Sequence, residues 1–324
     1  MKRREFIAVV GGAAAVWLSR AHAQQPAMPT IGWLHLGSEL SSKIPIEGFR
    51  SGLADLGYTD GRNIRVLYRF SDGNVDRFSA LAIELVSLGA KVIVTASTTA
   101  IRAVHDAAPN VPIVTWGGAD PRVMGWAQTL ARPGGMITGV FEASSTTKRL
   151  ELLKAVRPQA TRFGYLMNAT NPGNPLFRLD AHDAARILGI KLAIIEVKNQ
   201  AELAGAFDRM GSLGVEALAV TPDPVFGSNA ETIAELGRIH KLPTVLESTR
   251  FVLAGGLLAL TNDYVYLGRR SASYVDQILK GATPGDLAME EGKVYRLLVN
   301  LKTAKELGIS IPPSILARAD EVIE

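Results

Sequence analysis

The chain has 324 residues, enough for two domains with separate cores, and 35 basic against 31 acidic residues leave a net charge of +4. It has no cysteine, which excludes disulfides, a lipoprotein anchor, thiolate metal sites and cysteine nucleophiles.

The basic excess sits at the start. Lys2-Arg3-Arg4 is followed by an apolar, Ala/Gly-rich stretch from Phe6 to Ser19 and by the small-x-small site Ala21-His22-Ala23. This is the pattern of a secretory signal cleaved after Ala23. The adjacent arginines, the weak apolar core and Arg20 before the cleavage site favour the twin-arginine route. About 14 apolar residues fall short of the roughly 20 that a spanning helix needs. Loss of residues 1–23 leaves 31 basic and 30 acidic residues, a net charge of +1. No electrostatic case for nucleic acid remains. The mature product is expected to be a soluble protein of the periplasm.

From residue 28 onward, short apolar runs alternate with amphipathic stretches. Ile31–Leu34, Ile64–Val66, Val92–Val94 and Ile113-Val114 read as strands; Ile46–Leu56, Phe78–Leu88 and Thr99–Ala107 carry helical spacing. Such alternation implies a parallel sheet covered on both faces. Arg132-Pro133-Gly134-Gly135 then turns into the strand Ile137–Val140, which leaves the first lobe.

The same order recurs. Phe163-Gly164-Tyr165-Leu166 echoes Ile31-Gly32-Trp33-Leu34, and Leu188-Gly189 follows Leu56-Gly57 by 132 residues. Ser212-Leu213-Gly214 follows Ser87-Leu88-Gly89 by 125, and Leu242-Pro243 follows Val111-Pro112 by 131. The fold class is therefore α/β, with two similar doubly wound parallel-sheet lobes that divide near residue 145.

Open parallel sheets bind ligands beyond the carboxyl ends of their strands, so two facing lobes place six loops around one cleft. Ser97-Thr98-Thr99 lies at a strand-to-helix turn. A hydroxyl there caps the helix, and the same free N–H groups attract an anion. Gly117–Pro121, Asn168–Gly173 and Thr221–Pro224 are turn-forming loops that also carry polar side chains. Trp33, Trp116, Tyr165 and Phe226 lie beside strand ends, where an aromatic ring either packs in the core or stacks on a ligand. There is no GxSxG elbow, HExxH, P-loop lysine or GxGxxG after the first strand, and no histidine has a carboxylate at metal-ligand spacing. Neither a cofactor nor a metal is expected.

Gly48-Phe49-Arg50-Ser51-Gly52-Leu53, Leu56-Gly57-Tyr58 and Gly61-Arg62-Asn63-Ile64 carry a family resemblance, as do Leu130–Val140 and the tail Val299–Glu324. On these residues the mature chain resembles the ABC-transporter substrate-binding proteins of the type 1 periplasmic-binding fold that include tryptophan binders. The resemblance implies two lobes joined by three crossings, expected near 143–149, 248–256 and 284–292. The first lobe would hold 28–145 plus about 254–286, and the second 146–250 plus about 290–324. It implies capture of a small molecule by hinge closure, with recognition by an ABC permease in the inner membrane and no bond made or broken. The binder is expected to act as a monomer.

By position, the family's ligand loops fall on Gly37-Ser38, on Ser97-Thr98-Thr99, on Ala119-Asp120-Pro121 and on Pro222-Asp223-Pro224. Departures cluster at the cleft: the family's NPNNP is Asn168-Ala169-Thr170-Asn171-Pro172, and Leu246-Glu247-Ser248-Thr249 precedes Arg250. The ligand-binding set is therefore Ser38, Ser97, Thr98, Thr99, Asp120, Asn171, Asp223, Glu247 and Arg250. A ligand carboxylate is expected at the helix start after Thr98, an amine or hydroxyl against Asp120, Asp223 or Glu247, and a second acidic group at Arg250. Amino acids and aromatic or other small organic acids lead the candidates. Two other readings share the pattern. A sensing subunit would hand its closed form to a receptor, and a hydrolase would use Ser97 or Ser38 with His35 or His105 as its base.

Overall fold

A computed structural model describes residues 28–142 and 144–324; the expected signal and its cleavage site lie outside the described residues. The first lobe opens with β1 (Thr30–His35), α1 (Glu39–Asp55), β2 (Arg65–Phe70), α2 (Val75–Ser87) and β3 (Ala90–Thr95). It continues with α3 (Thr98–Ala107), β4 (Ile113–Trp116) and β5 (Ile137–Glu142). The second begins with α4 (Thr146–Val156), β6 (Arg162–Asn168), α5 (Asn174–Leu188), β7 (Lys191–Val197), α6 (Leu203–Ser212) and β8 (Ala217–Val220). After these come α7 (Pro224–Ser228), α8 (Ala230–Ile239), β9 (Thr244–Leu246), α9 (Thr249–Leu253) and β10 (Leu258–Asn262). The closing elements are α10 (Tyr264–Leu279), β11 (Glu290–Gly292), β12 (Tyr295–Asn300), α11 (Leu301–Glu306), α12 (Pro313–Leu316) and β13 (Glu321–Ile323).

One sheet runs β11-β5-β4-β3-β1-β2 and the other β13-β12-β10-β9-β8-β6-β7. The order 2-1-3-4-5 of the first five strands recurs as 7-6-8-9-10, so the repeat seen in sequence is a repeat of topology. β3 shows why its residues are branched and apolar throughout: Val92 and Val94 enter the core on one face, Ile93 the core on the other. In the second lobe Tyr165 and Leu166 of β6 divide between two faces in the same way.

Three elements differ from their expected bounds for local reasons. α1 starts at Glu39 rather than Ile46, because the Ser41 N–H donates to Ser38 Oγ at 3.3 Å and caps the helix ahead of Pro45, which lies inside it. β2 begins at Arg65 and extends to Phe70, in register with Thr30–His35. The third difference concerns the hinge. β10 pairs in parallel with β9 and antiparallel with β12, so residues 254–262 belong with the second sheet, not the first. The chain returns at Asp263, later than the expected 248–256. β10 is the second lobe's counterpart of β5, and each lobe hands over the chain after its fifth strand. The last crossing lies between Gly292 of β11, paired with β5, and Tyr295 of β12.

The returning helix α10 is held by close packing on α1. A Cβ placed on Gly48 would overlap the Val265 carbonyl, and one on Gly268 would overlap the Pro45 carbonyl. On Gly52 it would stand 2.8 Å from the Arg269 oxygen. The glycines in Gly48–Leu53 are therefore set by a contact with residues more than 200 positions away. Gly48→Ala is expected to destabilise the protein by about 1–3 kcal/mol through overpacking. Gly205→Ala, in α6 where an added Cβ meets nothing within 4 Å, is expected to stabilise by about 0.5–1 kcal/mol. Urea denaturation of the two variants checks the contrast.

Candidate functional site

The strand ends of both sheets open on one cleft of about 430 Å³, walled by residues of both lobes. Its first-lobe wall is built on the turn from β3 into α3. Ser97 caps α3 by accepting from the Ala100 N–H at 3.3 Å, and it does so at φ +73°, a left-handed conformation that a serine rarely adopts. Strain of this kind is retained where the surrounding structure demands it, commonly at ligand clamps. Thr98 Oγ1 accepts from the Ala119 N–H at 2.9 Å and ties this turn to the next strand end. Its hydroxyl proton stays available to a ligand.

Trp116 lines the cleft between Trp33 and Tyr264. It stacks on Trp33 at 5.5 Å and on His35 at 5.6 Å, and meets Tyr264 edge-on at 6.0 Å. The His35 Nδ1 accepts from the Gly37 N–H at 3.2 Å and lies 2.6 Å from Ser42 Oγ. An N–H donor at Nδ1 places the ring proton on Nε2. Burial lowers the His35 pKa to about 4, so the imidazole is neutral at pH 7.

The second-lobe wall centres on Asp223. Its carboxylate accepts from the Val225 N–H at 2.9 Å, from Asn168 Nδ2 at 3.1 Å and from Asn171 Nδ2 at 2.7 Å. Burial raises the Asp223 pKa, and these three donors oppose the rise. Glu247 faces the cleft but is engaged from behind. Arg149 Nη2 donates to it at 2.6 Å, and Asn262 Nδ2 and the Tyr264 hydroxyl each donate at 2.8 Å. Arg149 is 1% exposed, and its Nε and Nη1 have no hydrogen-bond partner among the described residues. Arg250 also lines the cleft but is paired with Glu231 at 2.6 Å.

Of the expected site residues, Ser97, Thr98, Asn171, Asp223, Glu247 and Arg250 line this cleft. Ser38 and Thr99 do not: Ser38 caps α1, and the Thr99 hydroxyl is enclosed with no partner. Asp120 lies in an adjoining recess of about 190 Å³ and is held by Arg122 at 2.6 Å, which keeps its pKa low. The hydroxyls of Ser38 and Ser97 both serve as caps, while His35 meets Ser42 and His105 meets Asp106. Among the described residues neither Ser38 nor Ser97, the two serines expected for a hydrolase, is hydrogen-bonded to an imidazole.

Three residues escaped the sequence reading. Glu142 ends β5 and lines both the cleft and the recess; burial first, then the charge of Glu247, raises its pKa well above the usual carboxylate range, and Arg149 opposes this. Tyr264 opens α10. Arg149 had a visible signal, since Thr146, Arg149, Leu150 and Leu153 form one buried stripe at i, i+3, i+4 and i+7. A cation on an apolar stripe needs a buried partner, which Glu247 supplies. Arg149→Met is expected to cost about 3–5 kcal/mol by leaving Glu247 enclosed without its cation. Pairing it with Glu247→Gln is expected to recover at least half of that loss in denaturant titrations.

Residues 39–323 match the family model described as ABC transporter substrate binding protein. A tyrosine-binding protein of Clostridioides difficile is 26% identical over 262 residues, which cover 81% of this chain and 75% of the relative. Among solved structures, an ABC domain in complex with L-Trp from Streptococcus pneumoniae is similar with a TM-score of 0.85. Its sequence is 28% identical, over 92% of this chain and 100% of that one. A conserved domain protein from Vibrio cholerae has a TM-score of 0.85 at 25% identity, over 91% and 99% of the two chains. The two lobes have the type 1 periplasmic-binding fold. With a family model spanning nearly all of the described residues, the chain belongs to the ABC transporter substrate-binding proteins.

Proposed function

We propose that this protein captures a small organic molecule, an amino acid or an aromatic or other small carboxylate, for an ABC importer. The observation that carries this reading is the shared cleft, lined from one lobe by the α3 N-terminus and Trp116 and from the other by Asp223. The ligand's carboxylate lies at the first turn of α3, where N–H groups and the Thr98 hydroxyl donate. Its amine lies toward Asp223, and its apolar body lies over Trp116. A second acidic group at Arg250 is disfavoured by the Glu231 pair already there.

Enclosure follows from closure of the lobes about the three crossings, which strips water from polar groups that then need ligand partners. The closed form is the one an inner-membrane permease recognises. The protein works as a periplasmic monomer after cleavage behind Ala23, without cofactor or chemistry. Relatives support the ligand class, one being described as tyrosine-binding and one solved with L-Trp. Among the described residues no helix is long and apolar enough to cross a membrane.

A thermal-shift screen of the mature protein against amino acids, aromatic acids, sugars and purines tests this. An amino or aromatic acid is expected to raise the melting temperature by mass action. A shift with sugars or nucleosides alone would overturn the carboxylate reading. Thr98→Val is expected to weaken the best acid by about 1–2 kcal/mol, and calorimetry reads that difference.

A further inference from the structure

The recess beside the cleft has two kinds of wall. Phe141, Leu176, Phe177 and Pro222 supply apolar atoms, and Asp120, Glu142, Asp180 and Glu291 supply carboxyl groups; no lysine or arginine lines it among the described residues. Two of the four acids are answered at its rim, Asp120 by Arg122 and Glu291 by Lys293, each at 2.6 Å. The other two have no cation of their own among the described residues. One carboxylate oxygen of Asp180 is enclosed without a hydrogen-bond partner. The positive charge that acts on Glu142 is Arg149, which is bonded to Glu247 instead.

Unanswered carboxyl groups in a recess that also has apolar walls are complementary to an alkylammonium group. Methylenes pack on the walls while the N–H donors reach the acids. An anion there would meet only like charge, and a neutral sugar would leave the carboxylates without a counter-charge. The recess shares Gly118, Glu142, Phe177 and Pro222 with the cleft, so a single solute can occupy both.

We propose that this recess is a subsite for the cationic arm of the solute, with Glu142 and Asp180 as its counter-ions. The protein then selects acids that carry a terminal ammonium on a short aliphatic chain. This rests on the solute-binding reading and names its substrate class more narrowly.

The surroundings of Glu142 attach a proton to the event. Glu247 from the β9–α9 loop and Arg149 from α4 both act on it, and the Gly118 N–H reaches it from the β4–β5 loop. Tyr264 of α10 and Tyr295 of β12 also feel its charge. Burial first raises the pKa of both, that of Tyr295 to about 12, so they stay neutral where carboxyl groups titrate. Around the recess Asp120 and Glu291 are paired with Arg122 and Lys293 at the rim, and Asp180 has no ion-pair partner among the described residues. The free protein therefore keeps a proton on Glu142 above the usual carboxylate range. A bound ammonium favours the ionised form, so binding expels the proton, and amine affinity rises with pH up to the free-state pKa and then levels.

Calorimetry on the mature protein tests this with matched probes, L-lysine against L-norleucine and 5-aminopentanoate against pentanoate. Each amine is expected to bind at least about tenfold more tightly than its partner. That advantage is expected to vanish in Glu142→Gln and to shrink in Asp180→Asn. As pH is raised above the ordinary carboxylate range, amine affinity is expected to rise while that of L-norleucine stays level. Equal binding of amine and partner overturns the subsite, as does an advantage that survives Glu142→Gln. If Glu142→Gln does not fold, Asp180→Asn on α5 decides alone, and an undiminished advantage there overturns it. Should tryptophan or tyrosine bind while no amine is preferred, the subsite fails and the solute-binding reading stands. If neither the broad screen nor these probes show binding, both fail.

Discussion

A guanidinium sealed where the lobes meet organises this molecule. Arg149 on α4 holds Glu247 beyond β9, and Glu247 in turn accepts from Asn262 at the end of β10 and from Tyr264 at the start of α10. Glu142, at the end of β5, feels the charges of both. Residues that flank the first two crossings thus belong to one buried network, and Tyr295 beside the third senses the same charges. Enclosed charges keep their attraction only while they keep their geometry. The network therefore ties the path of the chain between lobes to the shape of the cleft floor.

That arrangement separates two kinds of polar group in the cleft. Asn171, Glu247, Arg250 and the Ser97 hydroxyl are engaged by the protein itself. No protein acceptor takes the Thr98 hydroxyl proton among the described residues, whereas Trp116 is already stacked on Trp33 and His35. Capping and recognition are not rivals at this turn. The cap holds Ser97 in a strained backbone conformation, and the strained turn aims the helix start at the cleft.

Much of this was legible. The alternating runs and the landmarks near 132 residues apart reveal two similar lobes, because a buried parallel strand needs branched apolar residues and each helix needs a stop before the next strand. The repeat reads clearly through the fourth strand of each lobe. It fades at the fifth, where Leu257-Leu258-Ala259-Leu260-Thr261 follows Gly255-Gly256 and offers none of the valine and isoleucine of Ile137–Val140. Without that strand the second crossing falls too early. Among the site residues, the loops named from strand-end position mostly reach the cleft. Ser38 and Thr99 show the limit, since one residue of offset along a helix start turns a side chain away from it.

From sequence alone came the class of fold, the doubling, most of the loops that line the cleft and the family to which the chain belongs. Each depends on local periodicity or on motifs contiguous in the chain. Tertiary structure decided which polar groups are free. That Glu247 meets Arg149 and that a side chain on Gly48 would overlap α10 depend on partners about 100 to more than 200 residues away. Charge and close packing act through space, and the partner of a buried group is set by the fold that encloses it.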